Sequence, residues 1–275
     1  MAGLSGHLHL VCAVDAAGRS YLREQSFCAP MHLSKPHTDA GVLVVNVVNP
    51  TAGLLSGDRI ACRVRVESGA RLLLTAPSAS RAHRTPEGYS ELVQDYDVAS
   101  GGWLENWPEL FIPQGGARYR QQTTLRVEGD GEALFFETLA PGRVAMGEAF
   151  AFAELEWETE VLLGGESIAR ERYRLTAESA SIAALRGQFA TGYYASCFVV
   201  TPRLAADALV WRSIDALHEP EAWVGCSALR RGGYVVKIVA AGSVLLRRKL
   251  AAVRRTLHAA LGRETPSLRR ATAME

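Results

Sequence analysis

The chain has 275 residues, 48% of them hydrophobic, with 30 Lys and Arg against 29 Asp and Glu. A chain this long buries a core without a disulfide or metal staple, and so even a charge balance leaves no electrostatic footprint for nucleic acid or an anionic membrane. The five cysteines, Cys12, Cys28, Cys62, Cys197 and Cys226, are far apart, form no CxxC and stand at no ligand spacing from a histidine. Reduced thiols are expected, and a preformed zinc or iron–sulfur site is not. The first residues lack a basic region ahead of an apolar run, and nowhere do about 18 apolar residues follow one another. A soluble, cytoplasmic protein is the expectation.

Short runs of alternating apolar and polar residues, broken by Gly, Pro, Asn and Asp, predict half-buried strands. In chain order these are His7 to Val14, Arg19 to Ser26, Gly41 to Asn49, Ile60 to Val66, Arg71 to Thr75, Ser90 to Val98, Arg118 to Val127, Ala133 to Leu139, Phe150 to Leu163, Ser167 to Leu175, Tyr194 to Val200 and Gly233 to Ala240. No segment of helical period separates them before about residue 203, which argues against βαβ units and a Rossmann-type sheet. Two late segments break the pattern. Ala205 to His218 predicts a short helix that is apolar around most of its girth, so Trp211 and Ile214 are expected to remain free for a partner. Ser243 to Leu261 repeats Leu246, Leu250, Val253, Leu257 and Leu261 at helical spacing, and Gly262 reads as its stop. The tail from Arg263 to Glu275 is expected to fray. With no linker or repeat, residues 1–275 read as one domain, mainly β, with two α-helices towards the C-terminus.

Candidate chemistry is sparse. The turn Asn49-Pro-Thr-Ala-Gly-Leu-Leu-Ser-Gly-Asp58 lacks the Lys-Ser/Thr and following helix of a phosphate loop, so a structural turn is favoured. Leu74 to Arg84 carries hydroxyls, two arginines and His83 without a nucleophile elbow, and reads as a polar loop. His7 and His9 share one face of a strand; with no third ligand beside them, an exposed polar face is favoured over a metal clip. Acidic residues inside apolar strands are more unusual. Glu137 follows Leu134, Phe135 and Phe136; Glu148 follows Met146 and Gly147; Glu171 stands between Arg170 and Arg172. They suit paired general acid and base, as in a glycosidase, or hard oxygen ligands in a polar passage. Equally, neighbouring arginines would neutralise Glu171, and Glu148 would top a turn.

Five segments, in order, resemble the urease accessory protein UreD (UreH) family. Asn49 to Asp58 is similar to that family's Gly-Gly-Leu-Val-x-Gly-Asp turn, with Gly53, Gly57 and Asp58 in place. Leu74 to Arg84 is similar to its Thr-Thr-Pro-x-Ala-Thr-Lys-x-Tyr-Arg-Ser stretch, and Trp103-Leu-Glu-Asn-Trp-Pro108 to its Leu-Glu-Trp-Leu-Pro-Gln. Gly142-Arg-Val-Ala-Met-Gly-Glu-Ala-Phe150 matches Gly-Arg-x-Ala-x-Gly-Glu-x-Phe. Cys226 to Val239, with the helix after it, resembles the family's closing strand and helix. Departures include Thr51-Ala52 for a Gly-Gly pair, Ala82-His83 before Arg84, Glu109 for a glutamine, and Lys237 for a frequent arginine.

The resemblance implies a helix-like winding of many short strands and a non-enzymatic scaffold. Such a scaffold joins UreF and the GTPase UreG to apo-urease and helps pass nickel to it, with no tightly bound cofactor and only transient nickel. Glu137, Glu148, Glu171 and Asp58 would then line a nickel passage, and Trp211 and Ile214 would meet UreF. A β-helical hydrolase using Glu137 with Glu148 or Glu171, and a small-molecule binding β module, are the rival readings.

Overall fold

The computed structural model describes residues 3–51, 53–205 and 208–268. Ala52 and residues 269–275 lie outside them, as do 206 and 207 within the first predicted helix. The chain runs through β1 (Ser5–Val14), β2 (Ser20–Cys28), β3 (His32–Leu33), β4 (His37–Asp39), β5 (Val42–Val48), β6 (Arg59–Val66), β7 (Arg71–Thr75), β8 (Ser80–Ala82), β9 (Ser90–Val98), β10 (Trp103–Trp107) and β11 (Phe111–Pro113). It continues through β12 (Arg118–Val127), β13 (Glu132–Leu139), β14 (Glu154–Leu163), β15 (Glu166–Leu175), α1 (Ala180–Gln188), β16 (Tyr193–Val200), α2 (Leu209–Asp215), β17 (Ala222–Ala228), β18 (Gly233–Ala240) and α3 (Ser243–Ala260).

From β5 to β14 the longer strands alternate between two sheets. The first has the order β15-β14-β12-β9-β6-β1-β2, and the second runs β17-β18-β16-β13-β10-β7-β5-β3. Within them β6, β9, β12 and β14 pair in parallel, as do β5, β7, β10 and β13. The chain therefore winds as a β-solenoid of about four turns. Its corners stack by backbone hydrogen bonds: Ala99 N–H donates to the Val66 carbonyl and Glu128 N–H to that of Val98, each at 2.9 Å. Antiparallel hairpins, β1–β2 and β14–β15, close the two ends of the first sheet.

Period two fixes what faces inward. In β6, Ile60, Cys62, Val64 and Val66 are buried while the arginines between them face solvent. The main core lies between the sheets. A second core covers the outer face of the second sheet under α2 and α3. β13 lies between the two cores and is buried on both faces, which is why Ala133 to Leu139 reads as a nearly continuous apolar run.

Several expectations need correction. α1 was not anticipated, because Ile182 is its one buried side chain and it carries almost no apolar stripe. β17 and the shorter strands, β10 among them, were also missed. The strand expected from Phe150 begins at Glu154, since Phe150 takes a left-handed φ of 57°. The tail is anchored as far as Leu268: Arg263 bonds Glu132 at 2.6 Å, the Pro266 carbonyl accepts from Arg254 at 2.9 Å, and Leu268 packs on β5 and β7.

Trp211 and Ile214 are buried, at 5% and 0% exposure, against the expectation that they stay open to a partner. The girth of α2 is too apolar for one sheet face, and the fold answers with several elements. β17 and α3 flank the helix, Tyr234 stacks on the Trp211 ring at 3.7 Å, and the indole N–H donates to the Ala205 carbonyl at 2.9 Å.

Candidate functional site: a polar seam inside the solenoid

Between the sheets a polar seam crosses the apolar core. Strand register builds it. On the first sheet Cys62, Gln94, Thr123, Thr159 and Glu171 fall in one cross-strand row. On the second, Glu137, Ser196 and Lys237 form a row of their own. The two rows meet at Glu137. Its carboxylate accepts from Thr159 Oγ1 at 2.8 and 3.0 Å, Trp157 Nε1 at 3.1 Å, Gln121 Nε2 at 3.3 Å and Ser196 Oγ at 3.5 Å. All four partners are neutral. Burial pushes the Glu137 carboxyl up to about 7, the charge of Glu171 adds to the rise, and the hydrogen bonds from Thr159, Trp157 and Ser196 hold it back.

Glu171 is held differently. Its Oε1 accepts from the Tyr194 hydroxyl at 2.7 Å and from Lys237 Nζ at 2.8 Å, while its Oε2 is buried without a hydrogen-bond partner. Burial first, then the charge of Glu171, raises the Tyr194 phenol far above its ordinary range, so it serves here as a donor. The arginines expected to neutralise Glu171 do not reach it. Arg170 and Arg172 project to the opposite face of β15 and pair with Glu158, as period two requires.

Two cavities flank the seam. The first, about 190 Å³, has Glu137, Gln121, Trp157, Asn49, Ser78 and Asn106 among its lining residues. The second, about 230 Å³, is lined by Glu171, Tyr194 and Lys237 together with Pro141 and Phe150. Trp157 of the first stacks on Tyr173 of the second, with ring centroids 6.1 Å apart. Either space holds several waters by volume. The sequence segments singled out above converge here: Asn49 to Asp58, Leu74 to Arg84 and Trp103 to Pro108 contribute to the first cavity, and Gly142 to Phe150 to the second.

Asp58 and Glu148 belong elsewhere. Asp58 is buried, but its oxygens accept from the N–H groups of Leu4 and Leu55, each at 2.8 Å, so it braces the turn. In that turn Gly53 has a φ of 153° and a Cβ there would lie 2.5 Å from the Arg81 carbonyl oxygen, so only glycine lets the turn pack on β8. Gly57 N–H bonds the Tyr89 carbonyl at 3.2 Å. Glu148 tops its loop as a forked ion pair with Arg143 and accepts from Gly115 N–H at 3.0 Å. Arg143 and that N–H hold its carboxyl below the usual range. A Cβ on Gly142 would lie 2.1 Å from the Glu148 carbonyl oxygen, which explains the glycine that opens the segment. Neither carboxylate lines either cavity.

Sequence reading found Glu137 and Glu171 and missed Gln121, Trp157, Thr159, Tyr194, Ser196 and Lys237. One signal was available. In β12 the inward row Tyr119, Gln121, Thr123, Leu125, Val127 places two polar side chains in a line that is otherwise apolar or aromatic. Among the described residues no three His, Cys, Asp or Glu side chains group as a metal centre.

Fold and seam together define the class: a β-solenoid scaffold that keeps carboxylates and hydroxyls hydrogen-bonded inside its core. The family model described as UreD urease accessory protein matches residues 4–272, and the chain belongs to that family. The urease accessory protein UreD of Opitutus terrae is 43% identical over 263 residues, covering 94% of this chain and 96% of that protein. That of Deinococcus radiodurans is 32% identical over 209 residues, covering 74% and 75%. That of Acetivibrio thermocellus is 26% identical over 249 residues, covering 88% and 93%. The chain is thus a urease accessory protein, a chaperone of urease maturation rather than a hydrolase.

Proposed function

We propose that this chain conducts nickel through its interior, from the first cavity past Glu137 to Glu171 and the second cavity. On this reading it works in the cytoplasm, in a complex with UreF, the GTPase UreG and apo-urease. Nickel is its cargo, held transiently. The observation that carries the reading is Glu137, a buried carboxylate whose hydrogen-bond partners are all neutral. A buried acid ordinarily has a cationic partner, and a passing divalent cation would supply one intermittently. The donors along the seam are carboxylates, hydroxyls and carboxamides. Hard oxygen ligands release nickel more readily than a thiolate and imidazole cage, which suits transit.

The test is nickel loading of urease by a reconstituted accessory complex carrying Glu137→Gln and Glu171→Gln. Both substitutions keep the side-chain shape and remove the charge. Loading should fall while UreF, UreG and urease still co-purify with the variant. Full loading with both carboxylates gone would sink the passage.

A further inference from the structure

We infer that Lys237 is the charge filter of this seam: its ammonium occupies the cation position at Glu171, and only a divalent ion displaces it. The inference rests on the passage proposed above and adds what decides which ions use it. Lys237 Nζ lies 2.8 Å from Glu171 Oε1, and both residues line the second cavity. The other carboxylate oxygen, Oε2, is buried and has no hydrogen-bond partner. An ordinary closed salt bridge would leave no acceptor unused in a buried position. Here one oxygen is held by Lys237 and Tyr194, and the second is left for a ligand.

The stem of Lys237 gives the ammonium somewhere to go. Its side chain is 50% exposed, against 17% for Glu171, so rotation of the flexible stem returns the charge to water. A monovalent ion offers Glu171 no more charge than the ammonium does. It must also compete with a group tethered beside the carboxylate at high effective concentration. A divalent ion at the same distance doubles the Coulomb attraction. It can also engage both oxygens, as the unpartnered Oε2 invites. Intracellular monovalent cations would thus be kept out of the seam by a resident positive charge that nickel can replace. The polar partners of Glu171 agree: Tyr194 donates to the same oxygen as Lys237 and stays in place when the ammonium leaves.

The experiment compares wild type, Lys237→Gln and Lys237→Arg in the reconstituted complex, with nickel per urease measured at matched ionic strength. One salt is potassium chloride; the other is tetramethylammonium chloride, whose methyl groups keep its charge from approaching a carboxylate oxygen at ligand distance. Wild type and Lys237→Arg should load urease equally in both. Lys237→Gln should load severalfold more slowly in potassium chloride than in tetramethylammonium chloride. Equal loading by Lys237→Gln in the two salts, at any level, overturns the filter. The double variant Glu137→Gln with Glu171→Gln, run alongside, separates the two ideas: normal loading by that variant removes the passage itself, whereas impaired loading together with a salt-independent Lys237→Gln removes the filter alone.

Discussion

Glu105 on β10 and Arg254 on α3 are 149 residues apart in sequence and face each other as a forked ion pair with both side chains buried. His258, one helical turn on, places Nε2 3.1 Å from the same carboxylate. The guanidinium also lies over the Trp107 ring at 5.2 Å and donates to the Pro266 carbonyl. This cluster joins the last helix and the tail to the outer face of the solenoid. Burial pushes the Glu105 carboxyl up, but the hydrogen bonds and charges of His258 and Arg254 outweigh it and leave the group below its usual range.

Removing the acid leaves a buried guanidinium without a counter-charge, so Glu105→Ala should cost about 3–5 kcal/mol at neutral pH. The folded-state value lies below the unfolded one, so the stabilisation is present above the ordinary carboxylate range and is lost as pH falls through the lowered value. Urea melts of wild type and variant should therefore converge in acid. A gap that stays constant with pH would show that packing, not charge, dominates.

Glu137 carries the opposite sign. Its folded-state value, about 7, lies above the ordinary carboxylate value of 4.5, so the folded chain holds this proton more tightly than the unfolded one. Stability should fall as pH rises between those values, by on the order of 3 kcal/mol, and level off above. Glu137→Gln keeps acceptors for Thr159 and Trp157 and has no proton to lose. Its melts should lack that slope and match or exceed wild type above neutrality. Nickel uptake by wild type should rise as pH passes through about 7, where Glu137 ionises in the folded chain, because the cation needs the ionised form.

The repeating part of the fold was legible because one face of each strand is buried and the other wet. β6, with buried Ile60, Cys62, Val64 and Val66 alternating with exposed side chains, is the clearest instance. The closure of α2 was not. Apolar residues around a helix say that it is covered, but the identity of the cover, here β17, Tyr234 and α3, depends on long-range packing. At the site, Glu137 and Glu171 stood out as acids within apolar strands. Their meeting with Ser196, Thr159 and Lys237 is a product of strand register across two sheets, which no local pattern encodes.

The two late helices give a prediction that the burial of α2 reverses. Were Trp211 open to a partner, as the sequence suggests, Trp211→Asp would leave the chain folded while Leu250→Asp, on the buried stripe of α3, unfolded it. With Trp211 at 5% exposure and stacked on Tyr234, an aspartate there removes an aromatic core contact and buries a charge. Each substitution should cost about 4 kcal/mol or more. Thermal melts of the pair should shift comparably. A Trp211→Asp chain that melts like wild type would contradict the packing described here.

The last prediction concerns the thiols. Burial pushes Cys12 and Cys62 up to about 12, and the charge of Glu67 adds to it at Cys12. Cys226 rises to about 12 through burial and its contact with Asp215, and buried Cys197 is also raised. Cys28 is placed differently. It lies at the end of β2, half-buried, with Sγ 3.2 Å from His7 Nδ1, while His7 Nε2 is 2.8 Å from Ser26 Oγ. If Ser26 accepts the Nε2 proton, the Nδ1 lone pair faces the thiol and can accept its hydrogen bond. Alkylation proceeds through the thiolate. Iodoacetamide on the native chain should therefore label Cys28 ahead of the other four, and His7→Leu should slow that labelling without a change in melting temperature. Peptide mapping by mass spectrometry checks both, and early labelling of Cys226 in place of Cys28 would refute the assignment.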